Sequence, residues 1–409
     1  MRALLLVFLS AAAPALAAEP ASTAATAINA LGVDLLHQAG RPEGNFLISP
    51  ISIESALAMT YVGADGVTRD EMTKALHLPK DYAEWSRSYV ALQASLDDTT
   101  SPSAESAASP VVLTVANRLF GQAGYDMRAP FLSMLKDFYR APFGAMDFRT
   151  DAAGAARDIN DWVASKTGGH IRDLIPGGAL NDQTRLVLIN AIYFKAPWAQ
   201  EYSAGATQLR PFHVAGGAAV NVPTMTGKHF LGYAKLDGFT VVAIPYLGGD
   251  LQFLILLPDT VNGLRALEAK LLPSLLADFA RLPDGAEVIL FLPKFTLEPP
   301  PLPLARELQS LGMKSAFNQP IGSANFERMA PRRGNDYLYL TQVFHKTFLK
   351  LDEHGTEAAA ATGAAMRTSG MRRENPIPIQ VKVDHPFLFA IQHRWSGACL
   401  FLGWVNDPR

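Results

Sequence analysis

The stretch Glu353-His354-Gly355-Thr356-Glu357-Ala358-Ala359-Ala360-Ala361-Thr362 follows an apolar strand pattern, Val343 to Leu351, and precedes two more near the C-terminal end. At strand spacing from Thr356 to Arg367, one parity carries Thr356, Ala358, Ala360, Thr362, Ala364 and Met366. The other carries Glu357, Ala359, Ala361, Gly363, Ala365 and Arg367, so both charges fall on one side. Because side chains alternate across a strand, a strand formed here buries small or apolar groups on one face and points its charges to solvent. No proline interrupts Gly355 to Arg373, which leaves every amide free to join a ladder. By composition alone the segment is an alanine-rich linker, and only its context overturns that reading. Gly355 to Pro378 is also long for a connection inside a compact domain, where such loops are usually functional.

Outward from this loop, strand signals dominate. LVLINAIYF (Leu186 to Phe194), TVVAIPY (Thr240 to Tyr246), LQFLILLP (Leu251 to Pro258) and EVILFLPKFTL (Glu287 to Leu297) are nearly continuous apolar runs. Such runs predict strands buried on both faces, hence a large sheet covered by helices. HPFLFAI (His385 to Ile391) and ACLFLGWV (Ala398 to Val405) add two strands separated by the turn-rich Arg394 to Gly397. Helical patterns cover Ser52 to Met59 after an Asn45 to Pro50 turn, Pro130 to Tyr139, and Asp158 to Ser165 before Gly168-Gly169. Thr99 to Pro110, rich in Ser, Ala and Pro, reads as a surface loop. With no repeat and no linker-like break, a single large α+β domain is expected over residues 18–409.

Composition narrows the function classes. The 409 residues carry 36 Lys+Arg against 38 Asp+Glu, a formal net charge of -2, and 49% are hydrophobic. Dispersed, balanced charge offers no footprint for nucleic acid or an anionic membrane. A single cysteine, Cys399, excludes an internal disulfide or a thiolate metal cluster, and its place in a strand pattern makes it a packing residue. The N-terminus reads as a leader: Arg2, an apolar stretch from Ala3 to Ala13, and Ala15-Leu16-Ala17 as a small-x-small cleavage site. Removal of residues 1–17 predicts a secreted or periplasmic protein with no membrane span.

A search for catalysis finds no G-x-S-x-G elbow, H-E-x-x-H, G-x-x-x-x-G-K-[ST] or G-x-G-x-x-G, and the 9 His are scattered. No enzyme activity and no metal are expected. The alanine-rich stretch itself resembles the hinge of a serpin reactive loop. Further segments resemble serpins in the same order: NFLISPIS (Asn45 to Ser52) with ALAM at Ala56 to Met59, INDWVASKTGGHI (Ile159 to Ile171), LVLINAIYFKAPW (Leu186 to Trp198), LPKFTLE (Leu292 to Glu298), LGM (Leu311 to Met313), DHPFLFAI (Asp384 to Ile391) and LFLGWVNDP (Leu400 to Pro408). His354 and Ser323-Ala324-Asn325-Phe326-Glu327 depart from the usual pattern.

The resemblance implies a three-sheet, helix-covered fold with an exposed loop, about residues 353–378, that enters the main sheet as an extra strand after a protease cuts it. By the same resemblance, Glu353, Gly355, Thr356, Glu357, Ala358, Ala359, Ala360, Ala361 and Thr362 form the hinge. Ser49, Ser52, Asn190 and His345 match the shutter beneath the sheet, and Trp198 and Lys294 match the breach where insertion begins, with a Lys294–Glu353 ion pair expected. The implied partner is a serine protease of subtilisin, elastase or trypsin type, or a papain-like cysteine protease, bound by a monomeric inhibitor. A non-inhibitory serpin acting as chaperone or carrier is the alternative. Counting from Glu353 places the cut between Ser369 and Gly370, or one step earlier at Thr368, whereas counting back from His385-Pro386-Phe387 points six residues later, to about Asn375. The longer loop also admits Met371, Arg372 or Arg373 as the recognition residue. No glycosaminoglycan cofactor is expected, because Arg69, Lys74, Lys80 and Arg87 are dispersed among acids between Gly66 and Asp98.

Overall fold

A computed structural model describes residues 22–39, 44–101, 111–214, 217–357 and 377–409. The leader, hinge residues Ala358 to Thr362 and every candidate for the cut bond, Thr368 to Arg373, lie outside the described residues. In chain order the strands are β1 (Phe46–Ile48), β2 (Val112–Gln122), β3 (Gly144–Met146), β4 (Leu186–Pro197), β5 (Gln208–His213), β6 (Ala219–Leu236), β7 (Phe239–Pro245), β8 (Leu251–Pro258), β9 (Asp284–Pro293), β10 (Phe295–Leu297), β11 (Leu302–Pro303), β12 (Leu340–Asp352), β13 (Gly355–Thr356), β14 (Ile379–Lys382), β15 (Phe387–His393) and β16 (Cys399–Val405). The helices are α1 (Ser22–Gln38), α2 (Pro50–Val62), α3 (Gly66–Ala75), α4 (Tyr82–Thr100), α5 (Ala129–Ser133), α6 (Phe148–Lys166), α7 (Leu264–Lys270), α8 (Pro273–Phe279) and α9 (Ala305–Ser310).

Two hydrogen-bonded strand sets organise these elements. One runs β10-β12-β13-β4-β2-β3, with β11 also on β12. The other runs β1-β16-β15-β8-β7-β6-β9-β14, with β5 on β6. The second set joins two of the expected three sheets, because the long β6 pairs with β9 over Thr224 to Gly232 and with β7 from Gly232 to Leu236.

β4 and β8 are buried on both faces, while β9 corrects that expectation by burying Val288, Leu290 and Leu292 and leaving Ile289 and Phe291 half-buried. Along β4, Leu188, Ile192 and Phe194 enter the main core with α1 and α2, whereas Val187, Ile189 and Ala191 meet Phe148, Ile159 and Val163 of α6. Strand side chains alternate, so one continuous apolar run serves both layers.

Several expected boundaries move. Asn45 to Pro50 is not only a turn: Phe46–Ile48 is a strand paired with β16, and Ser49 caps α2. The helix expected from Asp158 starts earlier: a turn capped by the Asp147 carboxylate, which accepts from the Thr150 N–H, leads to a break at Asp151 (φ -142, ψ 63), whose carboxylate accepts from the Gly154 N–H at 2.7 Å and begins the run through Ser165. Glu287 to Leu297 is not one strand: β9 ends at Pro293 and β10 begins at Phe295 in the other sheet, leaving Lys294 at the crossing. The Lys294 N–H still bonds the Pro223 carbonyl of β6 at 2.9 Å, and the chain changes sheets at the next residue.

Candidate functional site

The site follows the seam between β4 and β12. These strands pair in parallel from Leu340 opposite Leu186 to Phe348 opposite Tyr193. Above that point they part, and β13 lies between them, antiparallel to both: Gly355 opposite Pro197 and Asp352, Thr356 opposite Ala196 and Leu351. The first two residues of the expected insertion are thus already in the sheet.

In the closed part, the expected shutter residues come together. His345 and Asn190 face each other across the seam, and Asn190 faces Asn117 across β4 and β2. The His345 Nε2 accepts from the Ser49 N–H at 3.1 Å, which puts the ring proton on Nδ1, where it is donated to the Asn190 carbonyl. Asn190 Nδ2 donates to Ser52 Oγ at 2.6 Å and also to the Asn117 carbonyl. Ser52 Oγ donates to Asn117 Oδ1 at 3.2 Å, and Asn117 Nδ2 returns a bond to the Ser52 carbonyl at 3.1 Å. Full burial pushes the His345 imidazole down to about 3, so the network is neutral and links α2, β2, β4 and β12. Asn117 is a full member that sequence reasoning missed; its signal was an asparagine in the middle of the run Val112 to Gln122, itself not read as a strand.

In the parted end, the expected breach residues also converge. Lys294 Nζ lies 2.7 Å from Glu353 Oε2, and Thr207 Oγ1 donates to Glu353 Oε1 at 2.7 Å. Burial works against the Glu353 carboxylate, but the bonds from Lys294 and Thr207 outweigh it and hold the group below the usual glutamate range. Trp198 donates its indole N–H to the Asp352 carbonyl and its backbone N–H to the His354 carbonyl, both at 2.9 Å. Its ring stacks on Tyr246 at 4.7 Å, and the Tyr246 hydroxyl bonds Thr356 Oγ1 at 2.6 Å. Neither Thr207 nor Tyr246 was foreseen, since each is brought in by a neighbouring strand or turn.

The hinge fits the seam closely. Thr356 is fully buried on the inward parity, as expected. Gly355 has φ 147, and a Cβ there would lie 2.1 Å from the Ala196 carbonyl oxygen, so the position demands glycine. Glu357 corrects the expectation that its parity meets solvent. That face of the sheet is covered by α6 and the segment after it, and the Glu357 side chain is 18% exposed, with Oε1 3.2 Å from His170 Nδ1.

A family profile described as Serpin (serine protease inhibitor) matches residues 26–408. A serpin-like protein of Thermococcus kodakarensis, described as uncharacterized, is 36% identical over 94% of this chain and 85% of its own. The leukocyte elastase inhibitor of Bos taurus is 36% identical over 90% of this chain and 94% of its own. Among solved structures, uncleaved ovalbumin has a TM-score of 0.80 at 26% identity, covering 94% of this chain and 100% of that one. Tengpin, a thermophilic serpin in its native state, has a TM-score of 0.78 at 27% identity, covering 95% and 94%. With a profile match over almost the whole chain and a hinge seated between β4 and β12, this protein belongs to the serpin family.

Proposed function

We propose that this protein inhibits serine proteases by a single-use covalent trap. The observation that carries the reading is β13: Gly355 and Thr356 pair with both seam strands, with the threonine turned inward and no charge on that parity. The protease serine attacks the loop carbonyl, the amide C–N bond breaks with a proton passing to the leaving amine, and an ester links the enzyme to the new loop end. The freed segment continues the strand that β13 begins. At ~3.3 Å per residue, a dozen or more residues carry the tethered protease ~40 Å, and distortion of its active site blocks hydrolysis of the ester. The inhibitor supplies no catalytic group.

Such a trap needs a native fold held above a more stable inserted one. One cost in the native fold is Glu54, which is fully buried in α2, has no hydrogen-bond partner for either carboxyl oxygen among the described residues, and is held by burial well above the usual glutamate range. An uncompensated buried carboxyl destabilises the fold that contains it.

The cut is proposed at Ser369–Gly370, with Thr368, Met371, Arg372 and Arg373 as the alternative recognition residues, and the protein acts as a monomer outside the cytosol after loss of residues 1–17. Among the described residues no helix is long and apolar enough to cross a membrane. Elastase-like enzymes are the first targets to test, because small residues precede the proposed cut and a named relative is an elastase inhibitor. The mature protein is mixed with elastase-, subtilisin-, trypsin- and papain-like proteases, and the products are run on a denaturing gel while the released C-terminal peptide is weighed. An adduct that survives denaturation is expected, with a peptide beginning at Gly370. Cleavage without adduct across all four would overturn inhibition in favour of a chaperone or carrier role. N-terminal sequencing of the exported protein checks the leader.

A further inference from the structure

The strand set that carries the seam has an outer edge made of β10 and β11, which among the described residues pair with β12 alone. Beyond that edge lie two depressions of about 330 Å³ and about 190 Å³, with Phe46 on the wall of both. An uncovered edge is a row of N–H and C=O groups that can pair with the same edge of another molecule.

The backbone along this edge has lost its donors. The Glu357 N–H bonds the Lys350 carbonyl, so Lys350 turns its backbone toward β13 while Leu349 and Leu351 turn theirs toward β10. Thr296, opposite Lys350, therefore points its own N–H outward. Farther along, the Leu304 N–H bonds the Val343 carbonyl at 2.9 Å, and by alternation Leu302 also faces inward, opposite His345. The outward position between them is Pro303, which has no N–H. Pro299, Pro300 and Pro301 have none either, so the edge presents no outward donor from Pro299 to Pro303.

The same run breaks the line of the edge. From Leu297 to Leu302 it takes five steps where β12, from Leu349 to His345, takes four. The extra residue makes a bulge, and residues 298–301 belong to neither β10 nor β11. Residues that precede a proline are confined to extended backbone, which leaves the bulge little freedom to straighten. Pro300 and Pro303 are exposed, and the Glu298 side chain, 54% exposed, adds a charge beside them.

We propose that Glu298 to Pro303 is an edge guard, which denies the outer edge of the β4–β12 sheet to a second copy of this chain. Without it, the same edges of two molecules would pair antiparallel across a two-fold axis. The guard rests on the monomeric inhibitor reading for its purpose but not for its geometry. Pairing there would tie β10 and β11, and through them β12, to a fixed neighbour, whereas the proposed insertion needs β12 to move away from β4.

The test uses the full mature chain with no protease present, followed by light scattering after size-exclusion chromatography over a range of concentrations. The natural chain is expected to stay a monomer. The combined variant Pro299→Ser, Pro300→Thr, Pro301→Ser and Pro303→Thr returns the donors and is expected to double in mass as concentration rises. In that dimer, hydrogen exchange at the Thr296 amide slows about tenfold or more. Adding Thr296→Pro removes the outward donor of β10 and returns the monomer. A combined variant that stays monomeric, or that dimerises with Thr296 exchange unchanged, overturns the guard. So does a natural chain that dimerises with Thr296 protected. If the combined variant loses the exchange protection of the β15–β16 ladder, the marker of an intact fold, Pro303→Thr alone is read in its place. It restores one outward donor beside the Leu302–His345 pair and is expected to give a weaker dimer, and its absence overturns the proposal. Failure of the natural monomer to form a protease adduct would count against the inhibitor reading alone.

Discussion

The two ends of the β4–β12 seam use buried polar side chains in opposite ways. At the closed end, His345, Asn190, Asn117 and Ser52 are neutral and saturate one another from strand to strand. At the parted end, Lys294 and Glu353 form an ion pair at the turn that leads from β12 into β13. Between them, the direct pairing from Leu186 to Tyr193 is parallel, a ladder slightly weaker per residue than an antiparallel one. The seam is thus braced against opening below and parted above, an arrangement that would give the proposed insertion one starting point and one direction.

The largest effect comes from overloading the open end. Thr356→Arg places a charge where the hydroxyl now bonds Tyr246 in full burial, a cost of several kcal/mol. The variant is expected to be cut as a substrate, with the amount of inhibitor consumed per protease rising about tenfold or more. Undiminished adduct on a denaturing gel would mean that burial of residue 356 between β4 and β12 is not needed for inhibition.

Breaking the closed end is next. Asn190→Ala leaves the His345 Nδ1–H without its acceptor and removes the donor to Ser52 and Asn117, at about 1–3 kcal/mol for an orphaned buried group. Urea unfolding should report that loss, with faster conversion to a loop-inserted form on warming. Acid acts on the same network. The unfolded chain protonates its histidine near the ordinary value of ~6.5, while His345 in the fold resists down to about 3. Stability therefore falls as pH drops through that window, and replacing His345 with Gln should flatten the slope between pH 6.5 and 4.

The smallest effect lies at the breach ion pair. Glu353 is buried but Lys294 is 34% exposed, so solvent screening limits Glu353→Gln to about 1 kcal/mol at neutral pH. Because the folded carboxyl is held below its ordinary value, the contribution is complete above that value and disappears as pH falls through the lowered one. Unfolding of the two proteins from pH 7 downward checks this: their difference should be present at pH 7 and shrink as the solution is acidified.

Much of this was legible in the chain. The runs at Leu186 and Leu251 identify doubly buried strands because a covered sheet needs apolar side chains on both parities, whereas the Glu287 run buries Val288, Leu290 and Leu292 and leaves Ile289 and Phe291 half-buried; the parity of Thr356 is readable by the same alternation. Asn117 and Tyr246 were not legible, since each looks like an ordinary polar residue until another strand brings it to the seam. Lys294 was matched to the breach by resemblance, yet the exchange of sheets around it was hidden because Glu287 to Leu297 reads as one strand pattern.

Glu357 marks the boundary between what each level decides. Local sequence determined that one hinge parity is small and uncharged and that its loop can make a strand, because both follow from residue size and the two-residue repeat. Whether the opposite parity meets water was decided by tertiary structure alone: His170, far earlier in the chain, comes over that face with the segment after α6. The same holds for the two residues already seated between β4 and β12, because the space they occupy exists only where two strands far apart in sequence part from each other.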